Sequence, residues 1–245
     1  MTYEELVEVA RTDDAVVGLV LTGSRGRGYA VTEEADWDVR LVVRDAVAGD
    51  CRERYATRHG SRVEVVVLSL SEFEDAGAIG SPSEWDRYSY VDAEVAVDDP
   101  DGTVARLVRE KGTLPPDAAR ALAAERLDDY VNCLFRAAKN ERSSLVQEGR
   151  LDAAESIAAL LDFLFAVEGR VRPFNRFLRY ELERRPLEDP AFAADLLFER
   201  LAAIRAGDPD EQRRTFRDVE ALARRQGLGD VIDGWEPDVA WLRGE

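Results

Sequence analysis

Leu21-Thr22-Gly23-Ser24-Arg25-Gly26-Arg27-Gly28, followed after a short connection by Ala35-Asp36-Trp37-Asp38-Val39-Arg40-Leu41-Val42-Val43, is the stretch that decides how this chain folds. The apolar run Ala15 to Leu21 enters the Gly/Ser turn as a buried strand, and a second apolar run leaves it behind two carboxylates spaced two apart. Side chains alternate along a strand, so Asp36 and Asp38 share one face and Trp37 takes the other. Paired acids on a rigid edge suit a divalent cation, and the turn before them offers backbone N–H groups and the Ser24 hydroxyl to a phosphate. A third acid, Glu64, lies inside the apolar run Arg62 to Leu68, where a lone carboxylate is costly unless paired or bound to a metal. Together these parts suggest a nucleotide and magnesium site. Each alone has a plainer reading: a Gly/Ser turn joins many strands, and Asp-x-Asp can cap a solvated edge. The phosphate-loop ending Gly-Lys-Ser/Thr and the dinucleotide pattern Gly-x-Gly-x-x-Gly are both missing from the stretch.

At Gly23, Ser24, Asp36, Asp38 and Glu64 the chain resembles the nucleotidyltransferase superfamily that includes DNA polymerase beta and, more closely, the aminoglycoside adenylyltransferases. The pattern there is Gly-Ser, a short loop, Asp-x-Asp in a strand and a further acid in a later strand. The resemblance implies that Gly23 and Ser24 hold the terminal phosphates of a nucleoside triphosphate, and that Asp36, Asp38 and Glu64 bind two magnesium ions. Trp37 stands where a small or branched apolar residue is more usual, but it faces away from the acids.

Composition narrows the field. The 245 residues are 45% hydrophobic and 34% charged, as in an ordinary globular protein. With 33 basic and 50 acidic residues the formal charge is −17, which argues against a nonspecific grip on nucleic acid and suits a cationic small molecule. Met1-Thr2-Tyr3-Glu4-Glu5 carries no secretory signal and no long apolar run suggests a membrane span, so a cytoplasmic location is expected. Cys51 and Cys133 are too few for a disulfide framework, and a single histidine excludes zinc sites built from several imidazoles. Lysine occurs only at Lys111 and Lys139.

Taken in order, Thr2-x-x-Glu5 reads as a capping box opening a short helix. Arg25 and Arg27 either meet phosphate or reach solvent, and Arg40, on the carboxylate face, either fixes Asp38 or Glu64 or lies at the sheet edge. Asp45 to Arg58 reads as a helix with Val47, Cys51 and Tyr55 at spacings of four, and His59 before Gly60 as its C-cap. The adjacency of the Arg62 to Leu68 strand to the acidic strand follows from the family resemblance as much as from pattern. Ser69-Leu70-Ser71-Glu72 starts another helix, Val91 to Val97 reads as a strand, and Thr103 to Lys111 as a helix. The aromatic segment between them, with this strand and turn, resembles a subgroup of nucleotidyltransferase-like proteins allied to the aminoglycoside enzymes. Adenylyltransferases take the acceptor's proton with a carboxylate outside the metal triad, and Glu84 and Asp86 are the candidates here; both can equally cap a turn.

Gly112-Thr113-Leu114-Pro115-Pro116-Asp117 marks a boundary where helical periodicity takes over. Ala118 to Ala138 buries Leu122, Leu127, Val131, Leu134 and Phe135, leaving Asp128, Asn132, Arg136 and Lys139 as a polar stripe that faces either a cleft or solvent. Lys139 is counted with the nucleotide-binding candidates on the first of these readings. Leu151 to Val167 is a second helix, in which Glu155 and Asp162 approach solvent or substrate. Pro173-Phe174-Asn175-Arg176-Phe177-Leu178 resembles the Pro-Tyr-Asn-Lys-Trp-Leu pattern in the helical domain of adenylyltransferase-like proteins. Two more helices, Pro190 to Ala206 and Pro209 to Gln226, and a tail with Trp235 and Trp241 complete a bundle of about five helices.

The expected fold is α+β: an α/β nucleotidyltransferase core with a mixed sheet over residues 1–112, then an α-helical domain over residues 113–245 that serves as a lid or a homodimer surface. The expected activity is transfer of AMP from ATP to a hydroxyl of a small acceptor, with magnesium as cofactor and neither nucleic acid nor membrane as partner. The alternatives are a non-catalytic nucleotide-binding or antitoxin-like interaction protein, and a purely structural helical protein.

Overall fold

Thr2 opens the first helix through a reciprocal cap. Its hydroxyl accepts the Glu5 N–H at 3.2 Å while the Glu5 carboxylate accepts the Thr2 N–H at 2.9 Å. Two of the donors that a helix start leaves over are thereby satisfied. This helix, α1 (Tyr3–Thr12), turns Leu6, Val7 and Ala10 inward. The computed structural model describes residues 1–29, 31–55, 57 and 60–244; the C-cap expected at His59 lies outside them.

The chain then runs through β1 (Val16–Leu21), α2 (Gly23–Arg27), β2 (Trp37–Val43), a 3-10 turn at Asp45–Val47, α3 (Ala48–Tyr55), β3 (Val63–Ser69) and α4 (Leu70–Asp75). A 3-10 segment (Glu84–Tyr90), β4 (Glu94–Val97) and α5 (Thr103–Lys111) complete the first unit. The four strands lie in the order β3-β2-β1-β4, with β2 and β3 parallel and the other pairs antiparallel, a mixed sheet. Period-two alternation gives it two apolar faces. Val39, Leu41 and Val43 of β2 join Val63 and Val67 of β3 against α1 and α3, where Cys51 and Tyr55 are buried. Val42 and Val20 face the other way, toward Phe73 of α4, Tyr90 and Val104, Leu107 and Val108 of α5. Each large aliphatic side chain removed from water contributes about 2 kcal/mol.

Two buried cations pin this second face. Arg87 donates to the carbonyls of Gly77 at 2.8 Å, Glu110 at 2.7 Å and Thr113 at 2.6 Å. Lys111, 3% exposed, donates to the Glu74 carbonyl at 2.7 Å and lies near the rings of Phe73 and Tyr90. Burial, and after it the nearby Arg87 charge, lower the Lys111 pKa to about 8. The unfolded chain therefore binds more protons than the folded one between that value and the ordinary lysine range, so the lysine opposes folding least at high pH. Relative to Lys111→Met, the wild type is expected to gain stability as pH rises above 8, by about 1 kcal/mol per pH unit. Denaturant unfolding of both proteins between pH 7 and 9.5 checks this; a pH-independent difference would contradict the buried amine.

The chain divides into two compact units, Met1–Thr113 and Leu114–Glu245. The second holds α6 (Pro116–Arg142), α7 (Val146–Ala166), α8 (Leu178–Arg184), α9 (Ala194–Ala206), α10 (Pro209–Arg225), α11 (Gly229–Asp233) and α12 (Val239–Arg243). Among the described residues this makes seven α-helices where about five were expected, because the tail forms two short ones of its own. Helices α6 and α7, joined by a short connection, form a hairpin around Leu127, Val131, Leu134, Leu160, Leu161 and Leu164. Asp208 caps α10 by accepting the N–H groups of Asp210 and Glu211, both at 3.0 Å, with Pro209 in the first turn where no N–H is needed. Among the described residues no helix is long and apolar enough to cross a membrane.

Candidate functional site

The parallel register of β2 and β3 sets Asp38 directly beside Glu64. Paired residues in a sheet project to the same side, so the two carboxylates stand as lateral neighbours on the face opposite Trp37. Trp37 itself stacks on Tyr3 of α1, ring centroids 4.1 Å apart and planes 11° from parallel. Asp36 falls one residue before the first residue of β2, and it and Glu64 are exposed. The three acids thus stand at the same end of neighbouring strands without being gathered. Among the described residues no group of three or more His, Cys, Asp and Glu side chains is placed to hold a metal ion. Asp36 and Glu64 are open to solvent, so packing does not press their charges together.

The glycine turn is docked onto the same strand. Thr22 donates to the Asp38 carbonyl twice, from its N–H at 2.8 Å and its hydroxyl at 3.0 Å. Gly23 has φ +67°, and a Cβ there would lie 2.0 Å from Asp38 Oδ2. The Asp38 carboxylate therefore rests against the bare α-carbon of Gly23. The stretch expected to be an open turn is instead a short helix, α2, with Ser24 in its first turn, closed by Gly28 in the left-handed conformation.

The two arginines of α2 diverge. Arg25 donates to the carbonyls of Ala35 at 2.9 Å and Thr32 at 3.3 Å, and its guanidinium lies 4.3 Å from the centroid of the Trp37 ring. That commits it to the connection before β2 and to the face away from the acids. Arg27 is buried and donates to the carbonyls of Gly23, at 3.0 Å, and Tyr88, with its guanidinium over the Tyr88 ring. Both side chains thus hold the loop together by carbonyl contacts, and neither is set out as an open phosphate ligand.

The segment Glu84–Tyr90 brings in the remaining candidates. Arg40 was expected against Asp38 or Glu64, or at the sheet edge; its ion-pair partner is Asp86, at 3.5 Å. It also lies beside the Tyr90 phenol, whose pKa is raised by burial. Asp86 accepts the Ser89 hydroxyl as well. Arg40 is two residues from Asp38 on the same face of β2, so Asp86 is tied to the acid-bearing side of the sheet. Glu84 accepts the Gly80 N–H at 2.8 Å and so closes the loop before its own segment.

The helical unit absorbs two of the four residues of the polar stripe on α6, Asp128 and Arg136, into its own packing. Asp128 accepts the Trp235 indole N–H at 2.8 Å, and Arg136 pairs with Asp152 and Glu155 of α7, each at 2.5 Å. Asp162 pairs with Arg172 at 3.4 Å, and burial pushes its carboxyl pKa up. Lys139 is exposed on α6, in the unit that does not carry the other nucleotide-binding candidates.

The donor set of Asp36, Asp38 and Glu64 consists of hard carboxylate oxygens, the chemistry that suits magnesium. The Asp38–Glu64 adjacency in the register fits such an ion, and the missing Cβ of Gly23 leaves the Asp38 carboxylate its place there; convergence of all three acids does not belong to this arrangement. Sequence reading missed Thr22 and Tyr88. Thr22 carries a weak local signal, a hydroxyl at the junction of strand and turn. Tyr88 acts through its carbonyl, which leaves no mark in a sequence.

No protein-family model matches the chain, and none of the curated proteins matches it. Among solved structures, it is similar to a nucleotidyltransferase-like protein from Exiguobacterium sibiricum 255-15, at 10% identity and a TM-score of 0.41, over 90% of this chain and 77% of that one.

Proposed function

We propose that this protein is a magnesium-dependent nucleotidyltransferase that moves AMP from ATP to a hydroxyl of a small acceptor and releases pyrophosphate. A cationic acceptor suits the net charge of −17. The observation that carries the proposal is the placement of Asp38, with Glu64 at its side in the register and Gly23 against its carboxylate. In the transfer, the acceptor oxygen forms a bond to the α-phosphorus, the bond from that phosphorus to the pyrophosphate oxygen breaks, and the hydroxyl proton passes to a base. Gly23 and Ser24 are assigned to the terminal phosphates, and Asp36, Asp38 and Glu64 to the magnesium ions. When bound, magnesium supplies charge neutralisation on the phosphates and orientation of the attacking oxygen. Of the two candidate bases, Asp86 is the one held on the acid face, through its tie to Arg40, whereas Glu84 accepts the Gly80 N–H within its own loop.

A second reading, a nucleotide-binding protein without transfer, is favoured by the ungathered acids among the described residues. Titration of the full chain with MgATP, followed by a pyrophosphate-release assay over a panel of hydroxylated amines and sugars, separates the two. Binding with magnesium-dependent pyrophosphate release is expected. Binding without release across the panel supports the second reading, and no binding rejects both.

A further inference from the structure

Among the described residues β3 is an outer strand of the sheet, paired with β2 on one side. Five of its seven residues, Val63, Val65, Val66, Val67 and Leu68, are aliphatic, and Val66 is 43% exposed. An outer strand of this composition is a template for pairing with another chain. The parallel ladder decides which backbone groups it presents. Trp37 is in register with Val63 and donates its N–H to the Arg62 carbonyl. Arg62, Glu64 and Val66 therefore turn their polar backbone groups toward β2, and Val63, Val65 and Val67 turn theirs outward. Two of these outward residues are closed by side chains. The Thr57 hydroxyl accepts the Val65 N–H at 2.8 Å and donates to the Val65 carbonyl at 3.4 Å. The Ser61 hydroxyl accepts the Val63 N–H and donates to the Val63 carbonyl, both at 3.1 Å.

Each hydroxyl thus fills both backbone groups of one residue, as the facing residue of an antiparallel partner strand does. We propose that Thr57 and Ser61 are caps that hold the β3 edge closed against the same edge of a second copy of this chain. Two copies related by a two-fold axis at Val65 run antiparallel there, and each Val65 then exchanges with the other the N–H and C=O that Thr57 occupies. That register sets Glu64 of one copy opposite Val66 of the other, so no two carboxylates face each other and charge does not oppose the pairing. The hydroxyls carry the protection. Thr57 reaches Val65 across eight residues, so the connection between α3 and β3 is what brings the cap to the edge.

The test is the molar mass by light scattering of the full chain as wild type, as Thr57→Ser, as the double variant Thr57→Val with Ser61→Ala, and as that double variant with Val65→Pro added. Valine keeps the shape of threonine and removes the hydroxyl, whereas serine keeps the hydroxyl. The double variant is expected to reach about twice the wild-type mass or more at equal concentration, and Thr57→Ser to stay at the wild-type mass. Proline at position 65 removes an N–H that β2 does not use, and is expected to return the double variant to the wild-type mass. A double variant at the wild-type mass overturns the proposal, and so does association that survives Val65→Pro. Hydrogen exchange of the wild type tests the caps without any substitution: the Val63 and Val65 amides are expected to be protected, and exchange at the rate of free amides overturns the proposal.

Discussion

Asp38→Asn is expected to lower magnesium-dependent transfer by roughly a hundred- to a thousandfold, the range set by removing a single group that stabilises transition-state charge. The melting temperature should stay within about 3 °C of wild type. The two outcomes separate because Asp38 does two things. Its backbone carbonyl holds Thr22, at 2.8 and 3.0 Å, and so anchors the entry to α2. Its side chain supplies a charge next to Glu64 and lies against Gly23. Asparagine keeps the carbonyl and nearly the same side-chain volume and removes only the charge. Pyrophosphate release and thermal unfolding of the purified variant measure both effects. Wild-type turnover would remove Asp38 from the site, and a collapsed melting temperature would make the residue structural.

Strand alternation makes the central geometry legible in the sequence. The spacing of Trp37 and Asp38 placed them on opposite faces, and the structure has Trp37 stacked on Tyr3 while Asp38 faces Gly23. Capping chemistry was equally local: Thr2 with Glu5, and Ser69 with Glu72, form the boxes their spacing implies. Contacts between distant residues were not legible. Glycine-rich residues 23–28 have little intrinsic preference for a helix, and α2 forms because Thr22 is fixed to β2 and Arg27 to Tyr88. Arg40 and Asp86 are 46 residues apart, and no periodicity links them. The run Val91 to Val97 reads as one strand, but Asp92 adopts φ 56° and turns the chain, so that pairing covers only Glu94–Val97. On α6, Asp128 and Arg136 have the spacing of a cleft-facing stripe and are taken up by Trp235 and by α7.

Gly23→Ala and Gly28→Ala form a pair in which similar backbone strain should give very different losses. Both glycines have positive φ, +67° and +64°, where an alanine costs about 1–2 kcal/mol. At Gly28 nothing lies within 4 Å of an added Cβ, so strain is the whole cost and turnover should be retained. At Gly23 the new methyl would sit 2.0 Å from Asp38 Oδ2, far inside contact distance. The backbone of Asp38 cannot retreat, because it lies in the ladder with Glu64 and holds Thr22. The carboxylate must therefore rotate away, which relieves the clash at a further cost of about 1 kcal/mol and carries the charge out of its place beside Glu64. Gly23→Ala should thus lose only slightly more stability than Gly28→Ala, yet about a hundredfold in transfer, since misplacement by about 1 Å is enough for that. Denaturant unfolding and pyrophosphate release on both variants measure the contrast. Equal behaviour of the two would mean that the Asp38 carboxylate does not rest against Gly23, and the glycine turn would lose its link to the acids.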